Sequence, residues 1–117
     1  MHELPLTQKI FRAAMRHAEK NGAIRITEVC LKVGEMRDFV EEVTQKYWDH
    51  LSRGSIAEGS KIRFVRIGAS ASCNVCGTSF PFDWRSPEKP ACTSCGSETV
   101  HLLTGTELEI EQISILS

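Results

Sequence analysis

Apolar positions along the first part of the chain recur at helical spacing. Between Leu4 and Lys20 the residues Leu6, Ile10, Ala13, Ala14 and Ala18 fall on one side of a helix with charges between them, and Asn21-Gly22 supplies a stop. Pro5 sits in the first turn, where a missing N–H costs little. From Ile24 to Val33 the chain turns β-branched, with Val29, Leu31 and Val33 on one face, which predicts a strand ending at Gly34. Asp38 followed by Glu41 resembles a capping box, and Val40, Val43, Tyr47 and Leu51 mark one face of a second helix that closes near Gly54. Ile62 to Ile67 and Leu108 to Leu116 predict two further strands. In the last, the apolar phase slips between Ile110 and Ile113, as at a bulge or in a sheet buried on both faces.

The order is therefore helix, strand, helix, strand, an insert, strand. It predicts an α+β fold in which two helices pack on a small three-stranded mixed sheet. The insert, from about Ser70 to Thr104, has few aliphatic residues and is too short to bury a core of its own. Two domains follow: residues 1–69 plus 105–117 form an α/β body, and residues 70–104 form a separate small domain.

The insert carries the strongest chemical signal. Cys73-Asn74-Val75-Cys76 and Cys92-Thr93-Ser94-Cys95 are two Cys-x-x-Cys pairs with fifteen residues between Cys76 and Cys92. Thiolates at that spacing can close a tetrahedron around one Zn²⁺. Gly77 and Gly96 follow the pairs directly, where a knuckle must turn so that peptide N–H groups point back at charged sulfur. A cage with all four positions filled leaves no opening for water or substrate, so its metal would fold the insert into a zinc ribbon. The competing readings are two disulfides, a redox pair, or iron in the cage as in rubredoxin-like carriers.

Composition weighs against disulfides. An apolar content of 41% in 117 residues supports an ordinary core without staples. No apolar run is long enough to span a membrane, and residues 1–20 lack the pattern of a signal peptide, so a cytoplasmic protein with reduced thiols is expected. Phe80, Phe82 and Trp84 alternate as on a short strand packed beside the metal. Stacking on nucleic-acid bases is the rival role, but a net charge of −1 and a pI of about 6.4 offer no basic stripe for phosphates.

Enzymatic motifs are missing from the pattern. Gly54-Ser55-Ile56-Ala57-Glu58-Gly59-Ser60-Lys61 nearly spells a phosphate-binding loop, yet the lysine stands one position late, no Ser/Thr follows, and the segment leads into a strand. A turn is expected there. No nucleophile elbow, zincin helix or dinucleotide fingerprint occurs, and no enzyme is predicted.

One other constellation offers metal chemistry. At Met1-His2-Glu3 the α-amine, the His2 peptide nitrogen and the His2 imidazole can wrap a metal in adjacent chelate rings, with Glu3 adding a carboxylate or its peptide nitrogen. Such nitrogen-rich, square-planar coordination suits Ni²⁺ or Cu²⁺. A solvated terminus is the plain alternative. His17 and His50 read as surface residues, His101 as a residue that approaches a metal only if the ribbon folds toward the N-terminus, and Cys30 as a half-buried sheet thiol or an oligomer contact.

Taken together, Met1-His2-Glu3-Leu4, Val33-Gly34-Glu35, Ala57-Glu58-Gly59 and the paired knuckles resemble the HypA/HybF family of hydrogenase nickel-incorporation proteins over essentially the whole chain. The resemblance implies a nickel metallochaperone with a nickel site at Met1, His2 and Glu3 and a structural zinc site at Cys73, Cys76, Cys92 and Cys95. It also implies a hydrogenase-maturation GTPase as partner and the [NiFe]-hydrogenase large-subunit precursor as client, with urease maturation as a second outlet in some organisms. Met36-Arg37 stands where the family often has Leu-Ser, and Pro5 where a small polar residue is frequent. Neither touches a ligand. Glu35 is expected to be solvated or to cap the next turn, and an exposed sheet face is open to a partner or a weak homodimer. The alternative function is a zinc-ribbon module that binds protein or nucleic acid and has no use for His2.

Overall fold

The computed structural model describes residues 3–117; Met1 and His2 lie outside the described residues. The elements are α1 (Glu3–Lys20), β1 (Arg25–Gly34), α2 (Glu41–Leu51), β2 (Lys61–Ile67), β3 (Ser70–Cys73), β4 (Ser79–Pro81), β5 (Val100–Thr104) and β6 (Leu108–Leu116). They divide between two compact units. One holds the chain up to Lys32, Asp38–Val65 and Leu108–Ser117; the other holds Val33–Arg37 and Arg66–Glu107.

In the first unit both helices accompany a three-stranded sheet of order β2-β1-β6, the predicted architecture. Strand β6 runs antiparallel to β1, since the Thr27 hydroxyl donates to the Ser114 carbonyl, the Cys30 thiol lies 3.8 Å from Glu111 Oε2, and Lys32 Nζ lies 3.9 Å from Glu109. Strand β2 follows through the α2 crossover and advances in the same sense as β1, with Glu28 facing Arg63 and Glu35 bonding to Ile67, so the sheet is mixed. Ile24 N–H donates to Leu116 C=O and Lys32 faces Glu109, so β1 takes eight steps where β6 takes seven. The burial of β6 slips phase at Glu111-Gln112, between Ile110 and Ile113 as expected, and β1 changes phase too, between Ile26 and Val29.

The helices meet through small and polar residues as much as through large apolar ones. The buried line of α1 is Glu3, Thr7, Ile10, Ala14 and Ala18, with the Thr7 hydroxyl donating to the Glu3 carbonyl. On α2 the buried line is Thr44 and Trp48, one position round from the expected face, and Val40 is exposed. Trp48 takes the centre because it is the bulkiest side chain on the helix. Phe11 packs edge-on against it at 5.4 Å, and its indole N–H donates to Ser60 Oγ at 2.8 Å. The expected Asp38 cap does not form; Val40 is the N-cap residue and makes no side-chain cap, leaving Glu41 and Glu42 to favour the helix N-terminus by charge.

The loop from Gly54 to Ser60 is the expected turn. Ser55 Oγ donates to Ser52 C=O at 2.7 Å, Ser60 Oγ donates to Ala57 C=O, and Gly54 N–H donates to the Glu58 carboxylate, so these bonds close the turn locally. Among the described residues no helix is long and apolar enough to cross a membrane.

The second unit contains the sheet β4-β3-β5, with β3 antiparallel to both neighbours and Ala71 between Phe80 and Leu102. Ala71, Cys73, Phe80 and Cys92 form its small core, with Phe82 and Val100 packed against it. At one end, the segment 33–37 is laced to the strand ends. Met36 N–H donates to Gly105 C=O, Glu35 N–H donates to Ile67 C=O, and the Glu35 carboxylate accepts the Ala69 N–H at 2.7 Å. Glu35 is exposed, as expected, but its carboxylate secures the distant join into β3 and not the turn that follows it.

Candidate metal centre

Two short loops in the second unit bring the four cysteines together. In the first, Cys73 ends β3 and its peptide N–H donates to Thr78 C=O at 2.9 Å, while Gly77 N–H donates back to Cys73 C=O at 3.0 Å. In the second, Cys92 N–H donates to Ser97 C=O at 2.8 Å and Gly96 N–H to Cys92 C=O at 2.9 Å. Gly77 and Gly96 both adopt φ 78°, a left-handed conformation that a side chain would strain. The two knuckles are copies in backbone terms.

That geometry aims peptide dipoles at sulfur. Cys73 Sγ accepts from Val75 and Cys76 N–H at 3.3 and 3.5 Å, and Cys92 Sγ accepts from Ser94 and Cys95 N–H at 3.3 and 3.4 Å. The sulfurs of Cys73 and Cys95 lie 3.6 Å apart and those of Cys76 and Cys92 3.5 Å apart, all four lying within 4.8 Å of one another. A zinc–sulfur bond of about 2.3 Å gives a tetrahedron with edges near 3.8 Å, so the cluster fits a structural Zn²⁺. All five cysteines of the chain are free, and the cross-knuckle sulfur pairs stand well beyond an S–S bond of about 2.05 Å.

Electrostatics point the same way. The Thr78 hydroxyl, 3.2 Å from Cys76 Sγ, together with the Thr78 N–H and the Cys92 sulfur brings the Cys76 thiol down to about 6. The Cys76 N–H and then the Val75 N–H lower Cys73. For Cys95 the largest single influence, the Ser97 N–H, favours the thiolate, but the other three sulfurs and burial together outweigh it and push the thiol up to about 11. Sulfurs this close cannot all ionise beside one another unless a cation sits among them.

Among the described residues this is the one group of three or more metal-ligating side chains. His101 is not in it; its Nδ1 pairs with Asn74 Oδ1 on the first knuckle. Phe80 is buried in the ribbon core, Phe82 and Trp84 are half-buried, and the Arg85 guanidinium lies over the Trp84 ring at 4.8 Å, so these aromatics pack rather than present open stacking faces. Glu3 opens α1 and is 3% exposed. Cys30 is as deeply buried, not half-buried, and its partner is Glu111 on the neighbouring strand.

The model of the family described as hydrogenase/urease nickel incorporation, metallochaperone, hypA matches residues 1–115. The chain belongs to the HypA family. It is 31% identical to the hydrogenase maturation factor HypA of Acidithiobacillus ferrooxidans, over 98% of this chain and 99% of that protein. The HypA of Dehalococcoides mccartyi is also 31% identical, over 98% and 94%. Among solved structures, the fold is similar to that of the nickel metallochaperone HypA from Helicobacter pylori, with a TM-score of 0.69, 20% identity and coverage of 100% and 99%. A second HypA solution structure gives a TM-score of 0.77 at 20% identity, covering 99% and 97%. As a HypA protein the chain is a nickel metallochaperone of hydrogenase maturation, a carrier without turnover of its own, and its cysteine cluster suits the structural zinc.

Sequence reasoning missed the Thr78 hydroxyl on Cys76. Thr78 and Ser97 hold equivalent places after their knuckles, so spacing alone treats them alike.

Proposed function

We propose that this chain carries Ni²⁺ at its N-terminus, on the Met1 amine, the peptide nitrogen and imidazole of His2, and Glu3, while Zn²⁺ held by Cys73, Cys76, Cys92 and Cys95 keeps the ribbon folded. On this reading residues 1–69 plus 105–117 are the nickel-handling part and residues 70–104 the zinc-binding part. The observation that carries it is the closure of the cysteine cluster. Four sulfurs within 4.8 Å of one another satisfy one tetrahedral ion and leave no position for cargo, so the nickel must be bound elsewhere. Nitrogen ligands at the chain start suit nickel, as thiolates suit zinc.

The rooting of Glu3 in α1 supports this reading. Its side chain is buried, and the Thr7 hydroxyl holds its carbonyl, so any ligand Glu3 offers is attached to a helix. Cargo is exchanged, not converted: peptide nitrogens bind Ni²⁺ only after losing protons, and His2 must be neutral, so affinity falls as pH drops. The receiving side is a hydrogenase-maturation GTPase and, through it, the [NiFe]-hydrogenase large-subunit precursor in the cytoplasm, with urease maturation proteins as a second client and a weak homodimer as a resting state.

The test is a Ni²⁺ titration of zinc-loaded protein with an untagged N-terminus, beside its His2→Ala variant, reading square-planar d–d absorption and bound metal. One nickel per chain that is lost in the variant, with zinc undisturbed, is expected. Equal binding by both proteins would place the cargo elsewhere. In a reconstituted pair with the GTPase, handover that ignores the bound nucleotide would remove the partner step.

A further inference from the structure

The two knuckles share one backbone design and differ in where the hydroxyl that follows each one turns. Each leading sulfur, Cys73 and Cys92, is buried and takes two peptide N–H donors from its own knuckle. Each trailing sulfur, Cys76 and Cys95, is exposed and takes the peptide N–H two residues on, from Thr78 or Ser97. Here the symmetry ends. The Thr78 side chain turns to Cys76, its Oγ1 3.2 Å from the sulfur, whereas Ser97 Oγ turns away and accepts the Thr99 N–H at 3.1 Å.

We propose that Cys95 is the ligand through which the zinc cage opens, and that Thr78 is the positioning residue that keeps Cys76 from opening first. This rests on zinc being the ion in the cage. An incoming electrophile needs a lone pair on sulfur, and only the two exposed sulfurs are within its reach. Against a zinc-bound thiolate the Thr78 hydroxyl is the donor; the charge-assisted bond occupies a lone pair of Cys76 and fixes its direction toward the metal. Cys95 has no hydroxyl to do the same. Its free lone pair is the reactive one. Attack there on iodoacetamide forms a C–S bond and releases iodide with the C–I electron pair. The resulting thioether is neutral and a poor ligand, so the zinc–sulfur bond breaks and the ion is left on three thiolates.

The experiment exposes the zinc-loaded full chain to limiting iodoacetamide and maps the modified cysteines by peptide mass, while a chromophoric chelator follows released zinc. Carboxamidomethylation should appear first at Cys95, with zinc leaving at the same rate and Cys76 reacting on the order of ten times more slowly, in line with the usual worth of an outer-shell partner. Thr78→Val should raise the Cys76 rate to that of Cys95, and Thr78→Ser, which restores a hydroxyl, should return the protection. Zinc stoichiometry near one in both variants shows that the cage still forms. Cys76 reacting first or equally in the unaltered protein, or an unchanged ratio in Thr78→Val, overturns the proposal. If zinc loading slows none of the four cysteines relative to chelator-treated protein, the zinc assignment itself fails instead.

Discussion

Gly34 and Gly105 touch backbone to backbone. A Cβ placed on Gly34 would lie 2.1 Å from the Gly105 carbonyl carbon and equally close to its oxygen, while Gly105 itself adopts φ 128° beneath the Met36 sulfur. No rotamer relieves such a clash, because what is struck is main chain. Gly34→Ala should therefore cost at least the ~1–3 kcal/mol typical of overpacking, seen as an earlier urea midpoint. Gly22→Ala is the matched control: Gly22 has φ 68° but nothing within 4 Å of its added carbon, so only the left-handed backbone cost of about 1–2 kcal/mol applies. If Gly34→Ala proves the milder of the two, the close approach is not a constraint on the fold.

The Trp48 indole makes a second prediction. Its N–H is fully buried and donates to Ser60 Oγ, whose hydroxyl in turn donates to the Ala57 carbonyl. Ser60→Ala leaves the indole donor without this partner in a site closed to water, while the Ala57 carbonyl keeps the Ser60 N–H. The expected loss is about 1–3 kcal/mol, measurable by thermal unfolding with a blue-shifted Trp48 emission retained in the native state. Ser60→Thr, which keeps the hydroxyl, should lose less. Equal stability of Ser60→Ala and the unaltered protein would mean the indole finds another acceptor.

These two relationships mark where the amino-acid pattern stops being informative. Ile10, Ala14 and Ala18 declare the inner face of α1 because period and apolarity agree there. Thr7 and Glu3 extend that face and could not be read, since polar side chains are buried only when a specific partner meets them, here a hydroxyl on the carbonyl four residues back. On α2 the apolar count favoured Val43, Tyr47 and Leu51, whereas the size of Trp48 decided the rotation of the helix. The metal cluster was legible because tetrahedral coordination dictates the spacing Cys73, Cys76, Cys92 and Cys95. The meeting of Gly34 with Gly105, and the different hydroxyl directions of Thr78 and Ser97, depend on tertiary geometry that leaves no local periodicity.

The two tryptophans report separately on the two units, Trp48 in the first and Trp84 in the second. Removing zinc with a chelator should unsettle the ribbon, whose apolar core is only a few residues, and change Trp84 emission while Trp48 stays buried. Single-tryptophan variants, Trp48→Phe and Trp84→Phe, assign each signal. Acid should act in the same direction. Thiolate ligands must be deprotonated to hold the metal, so protons compete with zinc for the four sulfurs and the ribbon loses its ion as pH falls. The Trp84 change should therefore set in together with zinc release as pH is lowered. A Trp48 signal that moves together with Trp84 would show one cooperative body in place of two.

Glu35 follows Gly34 directly in sequence and carries a carboxylate, so it competes with the chain start as a nickel ligand. Its Oε1 is already committed to the Ala69 N–H at 2.7 Å, and its own N–H to Ile67 C=O at 2.8 Å. A charge-assisted bond of this kind is worth roughly 1.5–3 kcal/mol when its geometry is good, less where water competes, and Glu35 is exposed. Glu35→Ala should therefore lower the thermal midpoint by a few degrees, whereas Glu35→Gln, which keeps an acceptor oxygen, should recover most of that loss. Nickel stoichiometry should remain that of the unaltered protein in Glu35→Gln, because the bond to Ala69 needs an acceptor and not a charge. Loss of nickel in Glu35→Gln with an unchanged midpoint would reverse the assignment, making this carboxylate a ligand and the Ala69 contact incidental.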